Sequence, residues 1–165
     1  MEGSDPVFLR PYKSEDAATL AEVMRDAIQG SGSSGYTPAQ LNVWSRYPED
    51  LEEFREKLSR GVTLVAESAG QPVAFGQLDP SDHVEFLYCR TAYARRGIAS
   101  IIYRELEAHA LAAGALWIQT EASRVSRLFF EKFEYKVDAR ESVERYGEVL
   151  ERFRMLRLLI DLSAP

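Results

Sequence analysis

Two spacings organise the apolar residues of this chain. Positions three and four apart predict helices. Leu51, Phe54 and Leu58 share one face of a segment that opens at Pro48 and stops at Gly61, and Ile98, Ile102 and Leu106 line the long run IASIIYRELEAHALAAG, which Gly114 ends. His109 falls on that same face and is expected to pack there. Short apolar runs between turn residues predict strands: VFLRP, then VTLVAE, PVAFGQL and HVEFLYC, the last three joined by SAGQ and DPSD in the pattern of an antiparallel meander. Within HVEFLYC a period of two sets Glu85, Leu87 and Cys89 on one face and Val84, Phe86 and Tyr88 on the other.

Capping signals fill in the order. Ser14 is the expected N-cap of the helix EDAATLAEVMRDAIQ, with acids in its first turn and Gly30 behind it. The stretch GSGSSGY reads either as a surface linker or as the border of a site, and Thr37-Pro38 opens a short helix through Trp44. After Gly114, ALWIQT supplies a strand, so the strand, helix and strand around it form one crossover and a parallel pair. A helix at RVSRLFFEKF and two strands, YKVDARESV and ERFRMLRLL, complete the chain. The prediction is one α/β (α+β) domain, residues 1–165, with a mixed, mostly antiparallel sheet flanked by helices.

Composition narrows the function. With 165 residues, 45% of them hydrophobic, the chain has material for one sizeable core. Its net charge of −6 argues against a general nucleic-acid or anionic-membrane binder. A single cysteine, Cys89, excludes an intrachain disulfide, and two histidines at unrelated positions, His83 and His109, have no metal-ligand spacing. The opening MEGSDPVFLRPY lacks a basic region followed by an apolar run, and the expectation is a cytoplasmic protein that needs no metal.

Candidate chemistry concentrates in YARRGIAS, Tyr93 to Ser100, where a strand gives way to the long helix. The first N–H groups of a helix lack intrahelical partners and lie at the positive end of its dipole, so this glycine-hinged turn with Arg95 and Arg96 suits a phosphate. An ordinary loop with solvated arginines has the same local sequence. Neither a P-loop nor a dinucleotide fingerprint accompanies it.

The run from HVEFLYC through RRGIASIIYRELEAHALAAGALWIQTEASRVSRLFFEKFEY resembles the central half of the GCN5-related N-acetyltransferase (GNAT) family. That family carries (Gln/Arg)-x-x-Gly-x-(Gly/Ala) at the turn. ARRGIA here keeps Gly97 and Ala99 and departs at Ala94. The later family pattern Asn-x-x-Ala-x-x-Leu-Tyr-x-x-x-Gly-Phe appears as SRVSRLFFEKFEY, with Ser123, Ser126, Phe129, Phe130, Glu134 and Tyr135 in the six usual positions. Together with GYTPAQLNVW and ERYGEVLERFRM, which look like a bacterial branch of the family, the resemblance runs from about Val7 to Met155.

The resemblance implies acetyl-CoA as acyl donor and an amine, on a small molecule or a peptide, as acceptor. A homodimer is one assembly it admits. The amides of Arg95, Arg96, Gly97, Ile98, Ala99 and Ser100 are then the pyrophosphate cradle, and Leu87, Tyr88 and Cys89 lend their strand to the pantetheine arm, with Ser123, Phe129 and Phe130 opposite. Glu85 matches a strand position where some members carry a proton-accepting glutamate; an ion-paired strand residue is the alternative. Tyr36 and Trp44 are candidates for the acceptor wall or for core. Many members place a proton-donating tyrosine where this chain has Phe130, so Tyr146, in the turn ERYGE, is the candidate substitute, with a plain surface tyrosine as its alternative. A non-catalytic CoA-binding module is the second function class.

Overall fold

The computed structural model describes residues 5–30 and 35–160. Most of GSGSSGY, residues 31–34, therefore lies outside the described residues. Seven strands form one sheet in the order β1-β2-β3-β4-β5-β7-β6. β1 (Val7–Pro11), β2 (Val62–Ser68), β3 (Gln71–Leu78) and β4 (His83–Cys89) make the antiparallel meander. β5 (Trp117–Ala122) runs parallel to β4, and the hairpin of β6 (Lys136–Arg145) and β7 (Glu148–Leu158) completes the sheet through β7 beside β5.

Helices cover both faces. α1 (Ala17–Gln29), α2 (Pro38–Trp44) and α3 (Leu51–Leu58) bury Leu20, Ile28, Leu41, Phe54 and Leu58 against Val65, Phe75 and Phe86. On the other face α4 (Ile98–Ala112) and α5 (Arg124–Lys132) bury Ile98, Ile102, Leu106 and Phe130 against Ala74, Val84, Ile118 and Met155. Gly76 of β3 permits the close approach of α4: a Cβ there would stand 2.7 Å from Ile102 Cγ2 and 3.2 Å from Leu87 Cδ1.

Several local expectations change. Ser14 is not the N-cap of α1. It begins a 3-10 turn, Ser14–Asp16, and Asp16 accepts the Lys13 N–H at 2.8 Å while pairing with Arg10 at 2.8 Å. α3 starts after Pro48, at Leu51, because Asp50 caps it by accepting the Glu52 and Glu53 N–H groups. His109 is exposed, and Ala110 takes the buried position, since the helical advance from Leu106 carries the inward stripe to the fourth residue onward. The last hairpin is longer than its apolar runs suggest and closes in a two-residue turn, Tyr146 (φ 48°) and Gly147 (φ 80°), whose left-handed backbone matches the strand twist.

The most consequential departure is in β4. Leu78 pairs with Val84 and Gln77 with Phe86, so Glu85 is the extra residue of a β-bulge. Val84, Leu87 and Cys89 pack toward α4, Phe86 and Tyr88 toward α1 and α3, and Glu85 meets Lys57 of α3. Strict alternation therefore breaks between Glu85 and Phe86: Val84 joins the face of Leu87 and Cys89, and Glu85 joins that of Phe86 and Tyr88.

Candidate active site

Parallel pairing of β4 and β5 is brief: only His83 with Gln119 and Val84 with Thr120, fastened by the Thr120 hydroxyl donating to the Val84 carbonyl at 2.9 Å. Beyond Val84 the strands part, and a cavity of about 1000 Å³ occupies the opening. An open crevice at the carboxyl ends of neighbouring parallel strands is where α/β proteins place ligands.

One end of the cavity is the N-terminus of α4. Gly97 caps it at φ 78°, ψ 8°, a left-handed conformation that turns the chain into the helix. The Ile101 N–H is the first to bond back, to Gly97 O at 3.1 Å, so the amides of Ile98, Ala99 and Ser100 have no intrahelical partner. Ile98 buries its side chain and offers only backbone. The two arginines separate: Arg95, held at φ 63°, lines the cavity, whereas the Arg96 guanidinium lies over the Tyr93 ring at 5.0 Å.

The middle of the cavity is apolar. Leu87, Tyr88 and Cys89, on the part of β4 that does not pair with β5, line it together with Ser123, Phe129 and Phe130. Burial pushes the Cys89 thiol up to about 11, so it stays protonated at neutral pH and makes a poor nucleophile. Burial likewise raises the Tyr88 hydroxyl pKa. Ser123 caps α5, accepting the Ser126 N–H at 3.1 Å, while Ser126 Oγ accepts the Ser123 N–H at 2.9 Å. Phe129 and Phe130 stack edge to face at 5.3 Å within a cluster containing Tyr103, Phe133 and Tyr135.

The far end is walled by Tyr36, Trp44, Tyr47, Phe86 and Tyr88. Tyr36 and Trp44 meet edge to face at 5.5 Å, and the Tyr36 hydroxyl accepts the Arg124 N–H at 2.9 Å. Glu85 enters this end with both oxygens occupied: Oε1 stands 2.7 Å from Lys57 Nζ and Oε2 3.3 Å from His83 Nδ1. Burial works against the Lys57 ammonium, but the contact with Glu85 outweighs it and the Lys57 pKa is raised. Tyr146 lies at the rim, 58% exposed, donating to Glu49 Oε1 at 2.7 Å with the Arg46 guanidinium 3.7 Å above its ring. That hydrogen bond, with weaker help from burial, raises the hydroxyl pKa, so Tyr146 keeps its proton at neutral pH.

Of the residues named from the sequence as candidates for catalysis, donor binding or acceptor binding, all but Arg96 line this one cavity. Sequence reading missed Lys57, Tyr47 and Glu121. Lys57 carries no local signal, because it meets Glu85 only through the bulge. Glu121 had one: a charged residue near the carboxyl end of a crossover strand, where open α/β sheets bind ligands. Among the described residues no group of three His, Cys, Asp or Glu side chains is placed to hold a metal ion, and no helix is long and apolar enough to cross a membrane.

A sheet split between parallel β4 and β5, with a positive helix start at one end of the split and a carboxylate at the other, is the architecture of an acetyltransferase. The chain matches the profile of the Acetyltransferase (GNAT) family over residues 31–135 and belongs to that family. It is 32% identical to a GCN5-related N-acetyltransferase from Rhodopseudomonas palustris, whose crystal structure superposes with a TM-score of 0.88 over 96% of this chain and 99% of the other. It is 26% identical over 150 residues, 90% of this chain and 94% of the relative, to the uncharacterized N-acetyltransferase YafP of Escherichia coli K12. The PaiA N-acetyltransferase of Thermoplasma acidophilum, solved in complex with coenzyme A, shares the fold at 21% identity, with a TM-score of 0.73 over 93% of this chain and 99% of that one.

Proposed function

We propose that this acetyltransferase moves the acetyl group of acetyl-CoA to the nitrogen of a primary amine by direct attack. The observation that carries the proposal is that one cavity joins the unpaired amides at the start of α4 to the Glu85 carboxylate, along the unpaired edge of β4. The coenzyme A complex of the PaiA relative supports the choice of donor.

The residues present fit such a donor. The amides of Ile98, Ala99 and Ser100, with Gly97 as hinge and Arg95 beside them, suit a pyrophosphate. Leu87, Tyr88, Cys89, Ser123, Phe129 and Phe130 suit a slender, partly apolar arm. Acetyl-CoA supplies an activated thioester. A backbone N–H on the open edge of β4 stabilises negative charge developing on the thioester oxygen. As the amine nitrogen bonds to the carbonyl carbon, the carbon–sulfur bond breaks and sulfur keeps the electron pair. The amine proton passes to Glu85, directly or through water. Tyr146, still protonated at neutral pH, is the proposed donor to the departing thiolate. A thiol is acidic enough that it leaves with modest help, which offsets the missing hydroxyl at Phe130.

The test is turnover of acetyl-CoA with a panel of small-molecule and peptide amines, followed by Glu85→Gln on the best acceptor. The variant is expected to lose roughly 10²-fold in kcat/KM at neutral pH and less at high pH, where the amine deprotonates itself. A small, pH-independent loss would make Glu85 a structural ion-pair partner of Lys57. Tight CoA binding without turnover of any amine would favour the non-catalytic module.

A further inference from the structure

We propose that His83 is a positioning residue of the acceptor end: as an imidazolium it clamps the Glu85 and Glu121 carboxylates together across the point where β4 and β5 separate. The proposal rests on the reading that an amine is acetylated in this cavity. Glu85 and Glu121 both line the cavity, while the His83 side chain, 13% exposed, sits behind them.

The protonation state follows from the partners. Nδ1 is 3.0 Å from the Asp79 carbonyl oxygen and 3.3 Å from Glu85 Oε2, and Nε2 is 2.6 Å from Glu121 Oε2. A carbonyl oxygen and two ionised carboxylates only accept hydrogen bonds. A neutral ring has a single N–H and would press the lone pair of its other nitrogen against an oxygen. The doubly protonated ring donates Nδ1–H to the Asp79 carbonyl and Nε2–H to Glu121, and its charge faces Glu85 as an ion pair. Burial opposes that charge, but the contact with Glu121 outweighs it and the His83 pKa is raised; the same contact, chiefly, lowers that of Glu121. The other charges around the clamp are Lys57 of α3, on the second oxygen of Glu85, and Arg152 of β7, whose field also holds Glu121 ionised.

The place of the ring in the sheet gives this contact a task. His83 with Gln119 is one of only two ladder pairs joining β4 to β5, and Glu121 lies two residues further along the separating arm. The bond from Nε2 to Glu121 therefore ties one arm of the opening to the other, and the charge at Nδ1, which is bonded to the Asp79 carbonyl, attracts the bulge residue Glu85. Removing the cation would take away the contact that chiefly keeps Glu121 ionised, and Glu121 would take up a proton at higher pH. The raised His83 pKa means that the clamp is fully formed below the ordinary histidine range and is lost as pH rises through the folded value.

Two measurements test this. NMR titration of the imidazole in the intact protein should put His83 above 6.5, its ordinary value, and Glu121→Gln should lower it by about one unit. In steady-state kinetics with an accepted amine, His83→Gln should reduce kcat/KM by roughly tenfold and move its acidic limb up by about half a unit or more, with KM for acetyl-CoA unchanged. A purely structural histidine would lower thermal stability without moving that limb. A His83 that titrates at or below 6.5 in the parent, or an acidic limb unmoved in a folded His83→Gln protein, overturns the proposal. If no amine is acetylated, the functional reading fails by itself, and the titration still decides whether the clamp exists.

Discussion

Replacing Gly97 with alanine isolates the backbone part of the phosphate cradle. Gly97 sits at φ 78°, and a Cβ built there meets nothing within 4 Å, so crowding by other residues contributes nothing to the cost. What remains is the left-handed backbone, which costs an L-residue roughly 1–2 kcal/mol relative to glycine. For a chain of this size each kcal/mol corresponds to about 2–4 °C, so the unliganded melting temperature should fall by about 2–8 °C. Ligand makes the second comparison. CoA at a hundred times its Kd stabilises the parent by about 2.7 kcal/mol, a rise of roughly 5–11 °C. A methyl group on the surface that the pyrophosphate approaches should weaken binding about tenfold, or 1.4 kcal/mol, and so roughly halve that rise at the same CoA concentration. Thermal melts with and without CoA, backed by calorimetric titration, read both quantities. A variant that melts like the parent would refute the backbone argument, and one that loses stability yet keeps the full CoA shift would refute the placing of the phosphate at this turn.

The remaining predictions separate side chains that look alike in the sequence. Arg95→Ala should weaken CoA binding by about fivefold or more, the loss of one charge-assisted contact, while Arg96→Ala should stay within about twofold because its guanidinium rests on Tyr93. The opposite ranking in a CoA titration would mean that the turn rearranges on binding. Tyr146→Phe should lower kcat by roughly tenfold or more if its hydroxyl protonates the thiolate, and an unimpaired kcat removes it from the mechanism. Phe130→Tyr should leave turnover unchanged or raise it; a folded, CoA-binding but inactive variant would show instead that the Phe129 and Phe130 pair shapes the pocket.

Much of this protein was legible in local pattern. The apolar stripe of Ile98, Ile102 and Leu106, the stops at Gly61 and Gly114, and the meander of β2, β3 and β4 came from residue spacing alone, because helix and strand period decide which residues face a core. The crossover from β4 through α4 to β5 implied the parallel pair, and the Arg95-Arg96-Gly97 turn was legible as the start of α4, where Arg95 and Gly97 line the cavity. Spacing misled where a local event broke the period. One inserted residue in β4 turned Glu85 onto the face of Lys57, and a 3-10 turn displaced Ser14 from the start of α1, whose N-cap position falls to Asp16 without a side-chain capping bond.

The sequence by itself determined the main helices and strands, their order and the glycine-hinged start of α4, since each depends on residues within a few positions of one another. Only the tertiary structure decided that β4 and β5 part after Val84, that Arg95 rather than Arg96 lines the cavity, and that His83 meets Glu121 across that opening. Those facts depend on strand register and on contacts between residues tens of positions apart. Such contacts arise when two elements pack, and neither element carries them in its own pattern.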